Sequence, residues 1–485
     1  MTEPLDLVIL GAGPAGLAAF QTAGACGLDV ALVDENARAG GRIYKGILSA
    51  CAAGKPLSDT YGADGPWAAK AVDAVQTAND PAIFTGHTVI DVTRTPGDVW
   101  QVHLLAEPGL KHLKARRILV ATGAKERPFA FPGWTLPGVM TAGAIQTLMK
   151  DSNCLPDCPV VLAGSGPLLL LLATQLLEQG VTVSALLDTT PSSNVLRAAR
   201  FVPGAVMAGT TLWQGVNLLC RITRAKLPRY QNVTQVAAQG TDLLKAVTFT
   251  YRGTEHQIST PLLVTHLGIV PDTQLTRLLG CTHYWSPLLQ AWAPDADKAG
   301  QTSHPDVSVA GDATGSNGAL AARNAGHLAA LDAACKLGAI STHDYHERAI
   351  PLLAFHRRST RERRFLNHLF APAPSHARTL PDDTLLCRCE EVSFGTLRAM
   401  TRAGIGDFDH FKAVSRCGMG LCQGRICADM ATLALAEGAG IDPSKARQMT
   451  VRAPLKPIPL GALAKGIDIS VALPGEGFVY TSDKP

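Results

Sequence analysis

Leu5-Asp6-Leu7-Val8-Ile9-Leu10-Gly11-Ala12-Gly13-Pro14-Ala15-Gly16 begins the chain's ordered pattern, and Val30-Ala31-Leu32-Val33-Asp34-Glu35 completes it. The first six residues are a short apolar run that reads as a buried strand. A helical pattern runs from Leu17 to about Gly27, and the second apolar run is a second strand ending in an acid. Each glycine has a physical reason. Gly11 permits a tight turn, Gly13 lets the backbone approach a pyrophosphate, and Gly16 lets helix and strand pack closely. The helix N-terminus then faces the phosphates. Asp34 lies 23 residues after Gly11, placed for ribose hydroxyls. The pattern strand–turn–helix–strand–acid predicts dinucleotide binding through Gly11, Gly13, Pro14, Ala15, Gly16, Asp34 and Glu35.

Outward from this stretch, 485 residues are too many for one core, and two to four domains are expected. A composition of 46% apolar and 17% charged residues is globular. The formal net charge of +4 gives no case for nucleic acid. The densest basic run, His356-Arg357-Arg358-Ser359-Thr360-Arg361-Glu362-Arg363-Arg364, reads as a solvated helix face or a subunit contact. The N-terminus has no basic segment and no cleavage site. The most apolar run, Pro167–Leu177, is too short to span a bilayer. A cytoplasmic protein, at most peripheral to the membrane, is expected, and there thiols stay reduced and serve as ligands more than as disulfides.

Three later stretches extend the opening pattern: Gly40-Gly41-Arg42, Ile118-Leu119-Val120-Ala121-Thr122-Gly123-Ala124, and Val307-Ser308-Val309-Ala310-Gly311-Asp312-Ala313. Each is degenerate alone. In this order they resemble the glutathione-reductase-like, two-dinucleotide-binding flavoprotein fold over about residues 1–335. That resemblance implies an α/β architecture and FAD, with Asp312 holding the ribityl and phosphate groups and the main chain of Val89 meeting adenine. It implies an FAD domain from 1–133 and 262–335, interrupted by an NAD(P)-binding-like domain at 134–261. The second domain opens Pro159-Val160-Val161-Leu162-Ala163-Gly164-Ser165-Gly166-Pro167-Leu168-Leu169, and its second strand ends in Asp188. Gly164, Gly166 and Asp188 are its candidate contacts. Leu169 stands where Gly or Ala would allow close helix packing. Two readings stay open: a retained, non-exchanging adenine nucleotide or an empty degenerate site, and functional NAD binding. No Cys-x-x-Cys lies near either loop; Cys154 and Cys158, spaced C-x3-C, read as ordinary thiols. No catalytic triad or acid/base pair stands out.

Five of the 12 cysteines crowd into Cys387-Arg388-Cys389 and Arg416-Cys417-Gly418-Met419-Gly420-Leu421-Cys422-Gln423-Gly424-Arg425-Ile426-Cys427. Cys387 and Cys389 make a C-x-C pair, and Cys422 and Cys427 a C-x4-C pair, with 32 residues between them. That length fits two short helices, Ser393–Arg402 and Asp407–Ala413. Zinc sites favour C-x2-C pairs, and two pairs of other spacing suit a cluster with two ligands per iron. Iron–sulfur, zinc and no metal all remain open on spacing alone. Gly418, Gly420 and Gly424 let the backbone fold round the sulfurs, and Arg388, Arg416 and Arg425 can offset an anionic cluster.

The wording Cys-Arg-Cys-Glu-Glu-Val with Gly-Met-Gly-x-Cys-Gln-Gly-Arg-x-Cys resembles the small helical [2Fe–2S] domain of the bacterioferritin-associated-ferredoxin-like type. This implies Cys387, Cys389, Cys422 and Cys427 as ligands and Cys417 as a bystander. The domain would span 384–452, after a helical and Pro-rich linker at 336–383 and before an extended tail at 453–485 that wraps another surface. Flavin body, cysteine domain and the segment Pro454-Leu455-Lys456-Pro457-Ile458-Pro459 together resemble the FAD/[2Fe–2S] α subunit of heteromeric bacterial dye-linked dehydrogenases. These include the opine oxidases, D-hydroxyproline dehydrogenase, L-proline dehydrogenase and hydrogen cyanide synthase. The resemblance implies an electron-transfer subunit. The amine would be oxidised on a β flavoprotein subunit. A small γ [2Fe–2S] subunit would be a further partner, and a quinone or dye would be the acceptor. Two other readings are a stand-alone NAD(P)H-dependent oxidoreductase and a structural scaffold with no turnover of its own.

Overall fold

The computed structural model describes residues 3–106, 109–208, 210–315, 318–373 and 379–466. Pro374 of the Pro-rich stretch and residues 467–485 of the tail lie outside them.

The first sheet has the strand order Ile83–Thr85, Val30–Asp34, Leu5–Leu10, Gly109–Val120, Trp100–Ala106, Thr88–Arg94, and Val307–Val309 adds to Gly109–Val120. Its central strands are buried on both faces, as a sheet covered on both sides requires. Leu7, Ile9 and Leu32 pack beneath helices that include Pro14–Ala25. Their alternates Val8, Leu10 and Val33 pack with Trp100, Val102 and Leu104 of the antiparallel half. Register then decides where the loops emerge. Leu10 pairs with Val33 and with Val120, and Val120 pairs with Val309. Four parallel strands therefore end level, and the four motifs that follow them leave the sheet at one edge.

The second sheet is parallel throughout, in the order Arg229–Gln231, Val183–Asp188, Val160–Ser165, Leu262–Leu267, Val139–Thr141. The boundary read at residue 262 moves. Leu262–Leu267 lies between Val160–Ser165 and Val139–Thr141, and its five fully buried residues complete the second core. An apolar run alone does not say which of two sheets it joins. The chain re-enters the first domain only after Gly268. There Ile269–Pro271 pairs antiparallel with the outgoing strand Ala124–Glu126, so the two connections between domains are bonded to each other.

The 336–383 segment contains the 28-residue helix Thr342–Leu369, capped by Ser341 Oγ accepting from Asp344 N. Asn194 of the second domain donates to the carbonyls of Leu369 and Ala371 at its end. In the first domain Ala349 packs with Leu328 of the helix Ala319–Lys336. The helix is thus a strut held by both dinucleotide domains. The cysteine domain follows the expected order, with helices Phe394–Arg402 and Phe408–Ser415 capped by Ser393 and Asp407. Its tail returns to the first domain. Leu455 is buried among the first-sheet residues, its N–H donates to Ile90 O at 2.7 Å, and Lys456 pairs with Glu35. Among the described residues no helix is long and apolar enough to cross a membrane.

The Pro14 and Ala319 helices cross in contact, since a Cβ on Gly326 would fall 2.0 Å from Ala15 O. At this crossing His327 Nδ1 lies 2.7 Å from Thr22 Oγ1. Burial, helped by the Arg323 guanidinium, pushes the His327 pKa from 6.5 down to about 4. Between those values the unfolded chain binds a proton that the folded chain does not, so stability falls as pH drops through the window. The full loss is at most about 3 kcal/mol. Urea midpoints at pH 7 and pH ~4.5 should therefore diverge less in His327→Asn than in the wild type.

Candidate functional site

The four glycine motifs touch one another. A Cβ on Gly11 would lie 2.4 Å from Ala121 O, and one on Gly41 2.9 Å from Gly13 Cα. One on Gly311 would lie 2.9 Å from Ala15 Cβ. Thr122 and Gly123 therefore flank the first loop, Gly40 and Gly41 lie across it, and the Gly311-Asp312 turn sits over the Pro14 helix. This leaves bare backbone at the N-terminus of that helix, the cradle a pyrophosphate needs. Asp34 is buried at its edge. Its Oδ2 accepts from Ala12 N at 2.6 Å and its Oδ1 from Asn36 N at 2.8 Å, so it braces the loop it serves. Val89 lies on Thr88–Arg94, beside the Asp34 end of its strand, where His87 N donates to Asp34 O. Glu35, exposed, is held by Lys456 of the tail.

One residue of the basic run joins this site. Arg363 reaches Gly318 and faces Asp312, and burial lowers its pKa while Asp312 opposes the shift. Sequence reading gave the run a solvated face or a subunit contact, because nothing local distinguishes an arginine of a helix that points inward.

Directly beyond Thr122-Gly123, the strand Ala124–Glu126 connects three parts of the molecule. Lys125 Nζ donates to Arg425 O at 2.9 Å and pairs with Asp429 Oδ2 at 2.8 Å, both in the cysteine domain. Glu126 turns the other way, to His266 Nδ1 at 2.6 Å, in the second domain. Burial would raise the Asp429 pKa, but Lys125, with Arg277 and Arg127 behind it, holds the carboxyl below its usual range. Further bonds fix the same contact: Gln274 Nε2 to Gln423 O at 2.8 Å and Trp134 Nε1 to Leu385 O at 2.7 Å. A cavity of about 540 Å3 opens here, lined among others by Arg42, Lys125, Glu126, Thr141, Thr147 and Arg425. It brings together the first-domain loop, the second domain and the loop between Cys422 and Cys427. Replacing Lys125 by Met removes the ion pair to Asp429 and the donor to Arg425 O and leaves only Arg277 and Arg127 facing that carboxylate, a loss of about 1–3 kcal/mol in domain docking. Limited proteolysis should release the 379–466 unit faster from Lys125→Met than from wild type.

All five C-terminal cysteines converge. The sulfurs of Cys387, Cys417 and Cys427 lie within 4.8 Å of one another, all buried. Cys422 lies beside Cys427 and Cys389, which closes the group. Backbone N–H groups also aim at sulfur: Gly418 and Glu390 at Cys387, Ile426 and Gly424 at Cys422, and Cys422 at Cys389. Hydrogen bonds from Cys417 and Cys427 pull the Cys387 thiol well below the usual thiol range. Bonding to Cys427 outweighs burial and takes Cys422 down to about 5. Cys427, placed among Cys387, Cys417 and Cys422, is pushed up by those contacts. A pocket of thiols with backbone donors fits a thiolate-bound metal centre. The glycines permit it: a Cβ on Gly420 would fall 2.3 Å from Cys389 Cβ, and one on Gly424 2.7 Å from Met449 Cε. Cys417, read as a bystander, sits inside the group. Arg425 faces the Cys422 sulfur electrostatically and donates to the carbonyls of Cys422 and Leu455, while Arg416 pairs with Glu390 and Arg388 is exposed. Cys154 is exposed and Cys158 half-buried, both as free thiols.

The second glycine loop keeps its backbone shape, with φ +135° at Gly164 and +114° at Gly166. Leu169 is buried in the second core. Asp188 is committed: Oδ1 accepts from Thr190 N at 3.0 Å, and Oδ2 pairs with Arg229 at 2.7 Å. Arg229 and His266 escaped sequence reading because both come from strands far along the chain.

The family model described as pyridine nucleotide-disulphide oxidoreductase matches residues 5–329. An opine oxidase subunit from Rhizobium meliloti is 35% identical over 96% of this chain and 88% of its own. Hydrogen cyanide synthase subunit HcnB of Pseudomonas protegens is 29% identical, over 94% of this chain and 97% of its own. The fold is that of L-proline dehydrogenase from P. horikoshii, with TM-score 0.67 at 19% identity, covering 95% of this chain and 79% of that one. With four glycine motifs meeting at one sheet edge and these likenesses along nearly the whole length, the chain belongs to the pyridine nucleotide-disulphide oxidoreductase family of flavin-dependent oxidoreductases, alongside that opine oxidase subunit.

Proposed function

We propose that this chain is the electron-relay subunit of a heteromeric dehydrogenase that oxidises a secondary amine, such as an opine or D-hydroxyproline, on a partner β flavoprotein subunit. The observation that carries the reading is the strand Ala124–Glu126. It follows the flavin-side Thr122-Gly123 motif and anchors, through Lys125, the loop between Cys422 and Cys427. Arg42 of the second glycine motif and Arg425 and Ile426 between Cys422 and Cys427 thereby line one cavity. The relatives named above are themselves subunits, of an opine oxidase and of a hydrogen cyanide synthase.

FAD would be held by Gly11, Gly13, Pro14, Ala15 and Gly16 at its pyrophosphate, by Asp34 and Glu35 at its ribose, and by the Val89 main chain at adenine. Gly40, Gly41, Arg42, Thr122, Gly123, Gly311 and Asp312 would line the rest. Cys387, Cys389, Cys422 and Cys427 would hold a [2Fe–2S] cluster. A flavin held there would supply two-electron chemistry, and a cluster held by the cysteines would supply one-electron transfer. What the chain supplies is position: Lys125, Gln274 and Trp134 fix the cluster domain on the flavin body. Cys389 is exposed, and Leu421 beside Cys422 is 81% exposed, which leaves one edge of the cluster open to an acceptor. A quinone or dye is that acceptor, and a small γ subunit with its own [2Fe–2S] centre is a further partner. Gly164, Gly166 and Asp188 would hold NAD or another adenine nucleotide that does not exchange as substrate.

The test is co-expression with the products of adjacent genes, followed by assays for flavin, iron and dye reduction. The purified complex should reduce dye with an opine or D-hydroxyproline, and the isolated chain should not. An isolated chain that retains no partner and reduces dye with NADH at the rate of the complex overturns this reading.

A further inference from the structure

His266 is a buried titratable side chain that the relay leaves unused, at 2% exposure. It lies near the end of the strand Leu262–Leu267, directly across from Gly164 in register. Its Nδ1 is 2.6 Å from Glu126 Oε1, and Glu126 Oε2 accepts from Gly143 N at 3.0 Å. Its Nε2 has no protein partner among the described residues. That edge of the ring is turned to the second glycine loop: a Cβ on Gly166 would lie 3.3 Å from His266 Cδ2 and 3.5 Å from Nε2. Gly166 is the N-cap of the 12-residue helix Pro167–Glu178, which has no side-chain cap and no acid in its first turn. An uncapped helix N-terminus and the unpartnered nitrogen of a buried ring therefore face the same space.

We propose that His266 binds a phosphate group there, as the anion ligand of an ADP-containing nucleotide in the second dinucleotide domain. This rests on the reading of that domain as nucleotide-binding. The helix N-terminus favours negative charge, and its free N–H groups are donors. Between phosphate and Glu126 the imidazole carries both protons, the second taken from solvent, with Nδ1–H on the carboxylate and Nε2–H on the phosphate. Such charge-assisted bonds are stronger than neutral ones. Glu126 acts as the positioning residue: with its other oxygen tied to Gly143, it holds the ring toward the loop. At the far end of the site Arg229 already neutralises Asp188. The phosphate grip is thus the main polar hold on the ligand. His266 also fills space beside Gly166, so the recognised unit is the ADP moiety, common to ADP itself and to NAD.

The test uses the full FAD-loaded chain. Nucleotide released on denaturation is identified, and sites left vacant are titrated with ADP, NAD and adenosine. Wild type should hold or bind one ADP-containing nucleotide per chain and bind adenosine weakly; release of NAD rather than ADP identifies the source. His266→Asn keeps a polar partner for Glu126 but cannot reach the loop. It should weaken ADP about tenfold and leave adenosine unchanged. His266→Gln, whose amide extends to the Nε2 position, should recover part of the loss. ADP binding in His266→Asn equal to wild type overturns the role of His266 and leaves the second site standing. Wild type that neither releases nor binds any nucleotide overturns both.

Discussion

Cys427→Ser strips the chain of bound iron and of visible iron–sulfur absorption, while its flavin remains. The expectation comes from where Cys427 lies. It is the thiol that lies against Cys387, Cys417 and Cys422 at once, and four of the five ways to choose four ligands from these five thiols include it. A serine hydroxyl is a poor ligand for iron compared with a thiolate, and one lost ligand opens the cluster to solvent. The same variant keeps its flavin because the four glycine motifs make no use of the cysteine domain. Cys417 is the informative contrast. It is as buried as Cys427 and lies within the same group of sulfurs. The C-x-C and C-x4-C wording assigns the ligands to the other four, so Cys417→Ser should retain full iron and a near-native spectrum. Iron and absorbance are measured on each purified variant. Cys422→Ser with a native spectrum would show that Cys417, not Cys422, completes the set.

The fold was legible where the determinants are local. Strand, glycine turn and helix follow one another within a dozen residues, and Gly11 and Gly16 state their own steric reasons. Ser393 and Asp407 likewise announced the two helices between the cysteine pairs. What stayed hidden depends on residues brought together from afar. Leu262–Leu267 reads as a buried strand, but its apolar side chains would suit either sheet. Arg229 meets Asp188, and His266 meets Glu126, only after two parallel sheets have assembled. The tail was read as wrapping another surface. That surface is the first domain itself, where Leu455 fills a gap beside Ile90 and Lys456 reaches Glu35. Lys125 is the clearest omission. Its neighbours in sequence belong to a flavin motif, and its function is to anchor a domain 300 residues later.

Gly16→Ala should abolish flavin binding, an effect as large as loss of the cluster. A Cβ at this position would fall 1.7 Å from the carbonyl oxygen of Gly11, which is backbone and cannot rotate away. The helix Pro14–Ala25 would have to withdraw from its strand. It is not free to do so, because Gly326 of the Ala319 helix presses on Ala15 from the other side. Overpacking of this kind costs about 1–3 kcal/mol when the core can adjust, and more when two backbones oppose it. Withdrawal would also carry the helix N-terminus away from the pyrophosphate, so affinity falls with stability. The second loop shows that the distinction is structural: Leu169 fills the equivalent position, buried among Leu172, Leu176 and Val264. A side chain is therefore tolerated there because that helix packs on its sheet through leucines. The corresponding substitution Leu169→Ala should leave flavin content unchanged and lower stability by about 2–4 kcal/mol, since it empties a packed site. Absorbance of the purified variants near the flavin band, read against protein, separates the two. Gly16→Ala protein with a full complement of flavin would place the cofactor elsewhere than in this loop.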